Sequence, residues 1–146
     1  MRLTLRTNLA MRALMFCAVN QGQIVRKHEI ASACNASENH LGVVVNMLAH
    51  AGYIETSRGR NGGIRLVRQP SSINVGEVFR LFEANSPFTE CFAAADNRCP
   101  LVCHCRLRST LAHAVEAFYA ALDGVTLDDL VCDNLGLKAL LSLQEA

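Results

Sequence analysis

Four of the seven cysteines fall within fifteen residues: Cys91, Cys99, Cys103 and Cys105, in the stretch ECFAAADNRCPLVCHCRL. Thiolate sulfur is a soft ligand, and this many thiols in one short polar segment suit an iron–sulfur cluster or zinc better than a packed core. Three spaced thiolates can hold three irons of a cubane and leave a fourth iron weakly ligated, open to nitric oxide or oxygen. Pro100 keeps the segment from becoming helix before the cysteines are placed. Arg98, Arg106 and Arg108 supply positive charge to offset thiolate and cluster. Zinc is the competing metal, since all four thiols could close a structural site. Against it, the paired C-x2–4-C knuckles are missing, with only Cys99 to Cys103 near that range. Metal-free thiol switching is the third reading.

The other cysteines read as ordinary. Cys17 and Cys34 fall on the inner faces of expected helices and belong to the core, and Cys132 is expected to pack rather than ligate. His104 and His113 flank the cysteine segment and read as surface or interface residues.

The elements that must position these thiols belong to a small protein. The chain has 146 residues, 51% of them apolar, enough for a core. No apolar run reaches bilayer length. Arg6 and Arg12 interrupt the N-terminal apolar stretch, which argues against a signal peptide. An odd cysteine count without such a signal points to the reducing cytoplasm, with no membrane partner. The net charge of +1 conceals an asymmetry. Residues 1–70 hold nine Lys/Arg and three Glu, a balance of +6, whereas residues 71–146 hold five Lys/Arg and ten acids, a balance of −5. A basic front half is the electrostatic footprint of nucleic-acid binding.

That front half divides cleanly. Leu9, Arg12, Ala13, Phe16 and Cys17 form a helical stripe over about 7–20, ended by Gln21-Gly22. A short helix over about 27–34 turns inward Ile30, Ala31 and Cys34. Asn35 suits the left-handed turn that follows. Ser37 is placed to cap a third helix carrying Leu41, Val44, Val45 and Leu48 inward and ending near Gly52. Two short helices joined by a tight turn form a helix-turn-helix, whose second helix enters the major groove. Its outward residues are Ser37, Asn39, His40 and Asn46.

Residues 53–57 and 64–68 alternate like strands. Between them lies Arg58-Gly59-Arg60-Asn61-Gly62-Gly63, a hairpin tip in which Gly and Asn are expected to supply positive φ. Its arginines can reach phosphates or a minor groove. The expected fold class is mainly α with a small β-hairpin wing, a winged helix-turn-helix. Asn74 and Glu77 begin a helix bearing Val78, Leu81 and Phe82. A long amphipathic helix then runs over 106–123 with Leu107, Leu111, Ala114, Val115, Phe118 and Leu122 in one stripe. Gly124 stops it, and Thr126 with Asp129 resembles a capping box for another helix. So long an apolar stripe in so small a chain invites a partner helix, hence a homodimer. The division expected is 1–70 for DNA binding, 71–105 for a connecting helix and cysteine loop, and 106–146 for dimerisation and a C-terminal helical segment.

MRLTLRTNLAMRAL, Gly52-Tyr53-Ile54, the wing RGRNGGIRL, Gly76-Glu77-Val78 and LDGVTLDDLV together resemble the Rrf2 family of bacterial regulators, over nearly the whole chain. The resemblance implies a dimeric winged-helix repressor of a double-stranded DNA operator, with an iron–sulfur cluster in a three-cysteine loop. Among its branches, the nitric-oxide-sensing and iron-responsive ones look most similar. It further implies Cys91, Cys99 and Cys105 as ligands of a [4Fe-4S] cluster, with [2Fe-2S] as the alternative, and Arg58 as the wing arginine aimed at the minor groove. Arg2, Gly59, Arg60 and Asn61 join the expected DNA-contacting set. Two departures stand out. Asn8 occupies a place where some relatives carry an aspartate that ligates the cluster from across the dimer, and a neutral amide oxygen is a poor iron ligand. Cys103 is an additional thiol two residues before Cys105, placed to replace Cys105 or to serve as a fourth thiolate ligand. The function expected is thus a regulator sensing nitric oxide, with an iron- or redox-responsive regulator as the alternative. No CxxC in a strand–helix context, nucleotide loop or converging acid–base set supports an enzyme; a structural zinc protein or thiol redox enzyme is the reading of another class.

Overall fold

The computed structural model describes residues 3–93 and 95–143. Helix α1 (Leu5–Val19) runs through the middle of the fold. Its start is capped by Thr4, whose hydroxyl accepts from Thr7 N–H at 3.3 Å. Eight apolar residues from Leu9 to Ala18 are buried, because α3, α4, α6, α7 and β2 all pack against it. Arg12, expected in the buried stripe, is instead exposed. Its Nη1 donates to the Cys34 carbonyl at 2.9 Å, so the charged tip stays in water while binding the end of the next helix.

The helix-turn-helix consists of α2 (Lys27–Ala33) and α3 (Glu38–His50). Asn35 between them takes φ 49°, the left-handed turn expected of it. Ser37 is the N-cap residue of α3, yet its hydroxyl makes no capping bond. Ile30, Leu41, Val44 and Leu48 are fully buried. Gly52 ends the helix at φ 77°. Arg68 seals that end: Nε donates to Gly52 O at 3.0 Å, Nη2 to Ala51 O at 3.3 Å, and the guanidinium lies 4.7 Å from the Tyr53 ring centroid.

Strands β1 (Ile54–Ser57) and β2 (Gly63–Leu66) pair antiparallel with Ile54 opposite Leu66 and Ser57 opposite Gly63. Val25, just ahead of α2, bridges Ile64 from outside the hairpin, with N–H···O bonds of 2.9 and 2.7 Å. Gly63 permits this approach: a Cβ there would stand 2.5 Å from Val25 O and from Ile24 Cγ2. At the tip only Gly59 takes positive φ, at 99°. Asn61 does not share that role, because one left-handed residue reverses the chain.

Helix α4 (Val75–Glu83) starts at Asn74, whose Oδ1 accepts from Glu77 N–H at 3.0 Å. A polar segment containing a 3-10 turn (Glu90–Phe92) leads to α5 (Arg106–Asp123), followed by α6 (Leu127–Val131) and α7 (Leu135–Leu141). The C-terminal end of α5 is clamped to α4. Arg80 grips Asp123 through two bonds of 2.5 and 2.8 Å and stacks 4.6 Å from the Tyr119 centroid. This guanidinium holds the Asp123 carboxyl below the usual aspartate range. Asn74 Nδ2 adds a bond of 2.7 Å to Asp123 O. Thr126 and Asp129 form the expected capping box, with bonds of 2.8 Å and 3.2 Å between each backbone N–H and the other's side chain.

Buried residues from Leu9 to Leu141 form one continuous core. Within it Asn20 is a buried amide with every polar atom occupied: Nδ2 donates to Phe16 O and Leu141 O, both at 2.8 Å, and Oδ1 accepts from Leu143 N–H at 2.9 Å. Cys17 and Cys34 lie in this core as expected, and burial pushes the Cys17 thiol up to about 12. Cys132 departs from expectation. It sits just past α6, exposed rather than packed, with Asp133 and Asp128 raising its pKa.

Candidate nucleic-acid interface and cysteine loop

Ser37, Asn39, His40 and Asn46 are all exposed along α3. Asn39, Gly42 and Asn46 follow one another at helical spacing, giving α3 a polar outer strip. His40 is set to one side of it. With Val43 and Met47, it lines a groove of about 370 Å³ shared with Leu5 and Arg6 of α1 and with Asn85 and Ser86 beyond α4. The recognition helix therefore faces, across this groove, the root of the cysteine segment.

Arg58, Gly59, Arg60 and Asn61 are exposed at the wing tip. Among the described residues, no hydrogen bond or ion pair engages the guanidinium of Arg58 or Arg60. Three other front-half arginines differ. Arg65 pairs with Glu55 across the hairpin, Arg68 seals α3, and Arg12 seals α2. The excess positive charge thus separates into structural arginines and a set available for phosphate. Arg2 lies outside the described residues.

Two basic residues escaped the sequence reading. Arg26 precedes α2, and its Nη2 donates to the carbonyl of Arg60 at 3.0 Å. Lys27 follows, its Nζ 3.9 Å from where a Cβ on Gly42 would be. The first residues of α2 therefore touch both the wing tip and the outer strip of α3. The Arg-Lys pair immediately before an amphipathic helix was the available signal, but the partner 34 residues away was not.

The cysteine segment is built differently. Cys91 sits half-buried in the 3-10 turn, where Thr89 Oγ1 lies 3.0 Å from its sulfur. Cys99 is half-buried, with its N–H donating to Asn97 Oδ1 at 3.0 Å. Cys103 is exposed, and half-buried Cys105 is the N-cap residue of α5, its thiol making no cap bond. All seven cysteines are free. Arg98 N–H donates to Glu90 Oε1 at 2.6 Å, and Arg108 Nε reaches back from α5 to Cys91 O at 3.1 Å. Among the described residues, no three Cys, His, Asp or Glu side chains converge on a point where a metal would sit. The donor set nevertheless fits a thiolate-bound group. Three half-buried free thiols are carried on a loop of mostly local bonds, and Cys105 stands at the positive end of an 18-residue helix. Asn8 is exposed on α1.

Helix α5 buries none of its residues within this chain, and Leu107 is 62% exposed. An apolar cavity of about 410 Å³ lies beneath it, lined by Val115, Phe118, Phe88, Phe92 and Leu3. Among the described residues no helix is long and apolar enough to cross a membrane.

Comparison with known proteins accords with this arrangement. The chain is 46% identical over 142 residues to the HTH-type transcriptional regulator NsrR of Geobacillus kaustophilus, covering 97% of each chain. It is 44% identical to Protein aau3 of Rhizobium meliloti, covering 99% of this chain and 94% of that one. Against NsrR of Bacillus subtilis it is 40% identical, covering 99% and 100%. Among solved structures, T. potens IscR superposes with TM-score 0.72 at 24% identity, over 91% of this chain and 88% of that one. The cysteine regulator CymR of B. subtilis gives 0.70 at 23%, over 90% and 96%; these two likenesses speak to the fold. The NsrR relatives are named as transcriptional regulators and CymR as a cysteine regulator, none as an enzyme. Residues 3–133 match the family model described as an iron-dependent transcriptional regulator, and with the helix-turn-helix and wing in place, the chain belongs to the Rrf2 family of DNA-binding transcriptional regulators.

Proposed function

We propose that this regulator is a homodimeric, cytoplasmic repressor that senses nitric oxide through a [4Fe-4S] cluster held by Cys91, Cys99 and Cys105. The observation carrying the reading is the placement of the thiols. They lie on the connection between α4, packed on the DNA-binding core, and α5, none of whose residues is fully buried within its own chain. The resemblance to the nitric-oxide-sensing branch of the family, carried by the motifs quoted from the sequence, supports nitric oxide as the signal.

Each element has a part. Asn39, Asn46 and the first turn of α3 face base edges, while Arg58 and Arg60 reach phosphates or the minor groove. Gly59 turns the tip, with Asn61 beside it. His40 borders the DNA face and lines the groove that separates it from the root of the loop. A second copy covers the apolar side of α5, fixing the separation of two recognition helices at about one helical turn of DNA. When bound, the cluster supplies iron that reacts with nitric oxide. The chain's own residues determine the rest. Cys105 joins the loop to α5, Arg108 ties the backbone at Cys91 to that helix, and Arg106 and Arg108 offset thiolate charge. Cys103 is a spare thiol, and Asn8 of the partner subunit offers only a weak neutral oxygen.

The test is anaerobic purification, absorption spectroscopy and titration with nitric oxide while binding to an in-vitro-selected duplex is followed. Cys99→Ala is expected to lose the visible cluster absorption and to bind the selected duplex more weakly, with no further response to nitric oxide. Full, nitric-oxide-insensitive affinity in that variant overturns the reading. Because the family model is described as iron-dependent, a response to iron chelation but not to nitric oxide would instead assign iron as the signal. Metal analysis finding zinc alone would assign a structural site.

A further inference from the structure

We propose that Arg26 is a positioning residue for DNA binding, a latch that holds the wing tip against the start of α2. It presents Arg58 and Arg60 to DNA without needing to touch DNA itself. The inference rests on the wing contacting DNA. It goes beyond that reading by assigning the wing's position to a residue of the helix-turn-helix.

Three observations converge on it. First, the wing is not a free hairpin. Val25, immediately before Arg26, pairs with Ile64 through both backbone bonds, so a single bridge ties the segment leading into α2 to the base of the wing. Gly63 lets that segment come within contact, where a Cβ would collide with Val25 O.

Second, the tip beyond that base is held mainly by itself. Gly62 N–H bonds Gly59 O at 3.1 Å, and Gly63 N–H bonds Ser57 Oγ at 3.3 Å. Among the described residues, the side-chain bond that reaches the tip from another element is Arg26 Nη2 to Arg60 O, at 3.0 Å. A five-residue tip containing two glycines has high backbone freedom, so one charge-assisted bond from outside decides where it points.

Third, Arg26 is itself oriented. Its backbone N–H donates to Glu29 Oε2 at 2.7 Å, and Lys27 beside it reaches the outer strip of α3 at Gly42. The latch thus references the wing to the helix start that packs on the recognition helix. It is a carbonyl of the tip that Arg26 takes, leaving both wing guanidinium groups available.

The experiment compares wild type, Arg26→Ala, Arg60→Ala and the double variant, using anisotropy on the tightest duplex selected in vitro from a random-sequence pool, across a salt series. Hydrogen exchange is measured on the DNA-free proteins. Because Arg26 is exposed, its removal leaves the core and melting temperature unchanged. Arg26→Ala is expected to speed exchange of amides 60–63 without DNA and to weaken binding about threefold to tenfold. The slope of log affinity against log salt should remain that of wild type, because no phosphate contact is lost. The effects of Arg26→Ala and Arg60→Ala should be less than additive. A slope reduced by about one would make Arg26 a direct phosphate contact and overturn the proposal. Unchanged tip exchange or strictly additive losses would overturn it equally. If Arg58→Ala and Arg60→Ala also leave affinity intact, the wing reading fails; if they weaken binding while Arg26→Ala does not, the latch alone fails.

Discussion

The wing tip and the cysteine segment are both polar connections rich in small or turn-forming residues, and both carry exposed charge. They are built on opposite plans. The wing is pinned at its base by Val25 pairing with Ile64, at its root by the close contact of Gly63, and at its tip by Arg26. The cysteine segment is held by bonds that mostly stay within it, such as Arg98 to Glu90 and Cys99 to Asn97, with Arg108 to Cys91 O returning from α5. A surface that must match a rigid duplex is preorganised by the chain alone. On the function proposed above, the cysteine segment would take its final shape only with its ligand, which would make that shape responsive.

Four experiments can break or sharpen this contrast. The largest effect is expected from Gly63→Val, which forces atoms into Val25 O and Ile24. It should cost about 1–3 kcal/mol in urea melts and undo the wing; a neutral result would mean that the base of the wing is not clamped. Next is Glu83→Ala. Glu83 Oε1 accepts from Thr4 N–H at 2.9 Å, from Thr4 Oγ1 at 3.1 Å and from Thr7 Oγ1. It fixes the start of α1 to the end of α4, where the cysteine segment departs. Its loss should cost about 1 kcal/mol and speed exchange in the first turn of α1.

A third test uses acid. Arg80 depresses the Asp123 pKa, so the clamp between α4 and α5 contributes stability above the unfolded-state aspartate pKa. That contribution is lost as pH falls through the lower folded value. Asp123→Asn should therefore flatten the acid limb of the melting temperature against pH while leaving neutral-pH wing exchange unchanged. A variant whose acid limb matches wild type would remove the clamp from the account. The smallest effect belongs to the loop: Asn97→Ala should change stability of the metal-free protein by less than about 0.5 kcal/mol. In the same comparison, reconstituting the cluster in wild type should slow exchange over 86–105 but not over 58–62. Equal protection of both regions before reconstitution would erase the distinction drawn here.

Local patterns carried much of this molecule. The 106–123 periodicity and Gly124 marked α5 to its observed bounds, because helical repeat and stop signal agreed. Asn35 announced the turn between α2 and α3, and Thr126 with Asp129 announced the start of α6. What remained illegible depends on distant partners. Arg12 looked like part of a buried stripe until Cys34 O gave its guanidinium a place at the surface. Nothing near Arg65 or Arg68 in sequence says that Glu55 and the end of α3 will occupy them. Cys132 resembled a core thiol by type, but α6 ends before it and turns it outward. For the candidate site, the clustered cysteines and the arginines of the hairpin tip stood out in the sequence, and the family resemblance singled out Cys91, Cys99, Cys105 and Arg58 among them. The latch at Arg26 needed the fold, because a hairpin tip approaches the start of α2 only after β2 has paired with Val25.

Asn20 gives the architecture a consequence in time. Its amide is completed by the carbonyl of Leu141, 121 residues downstream, and by the N–H of Leu143. Helices α6 and α7 both pack against α1. During synthesis, the helix-turn-helix and wing leave the ribosome long before the residues that finish enclosing α1. A nascent chain therefore carries a DNA-reading surface on an open core. The molecule gains its final rigidity only after the cysteine segment and α5 have emerged, so a translation product cut short beyond the wing lacks the support that a competent operator-binding protein needs.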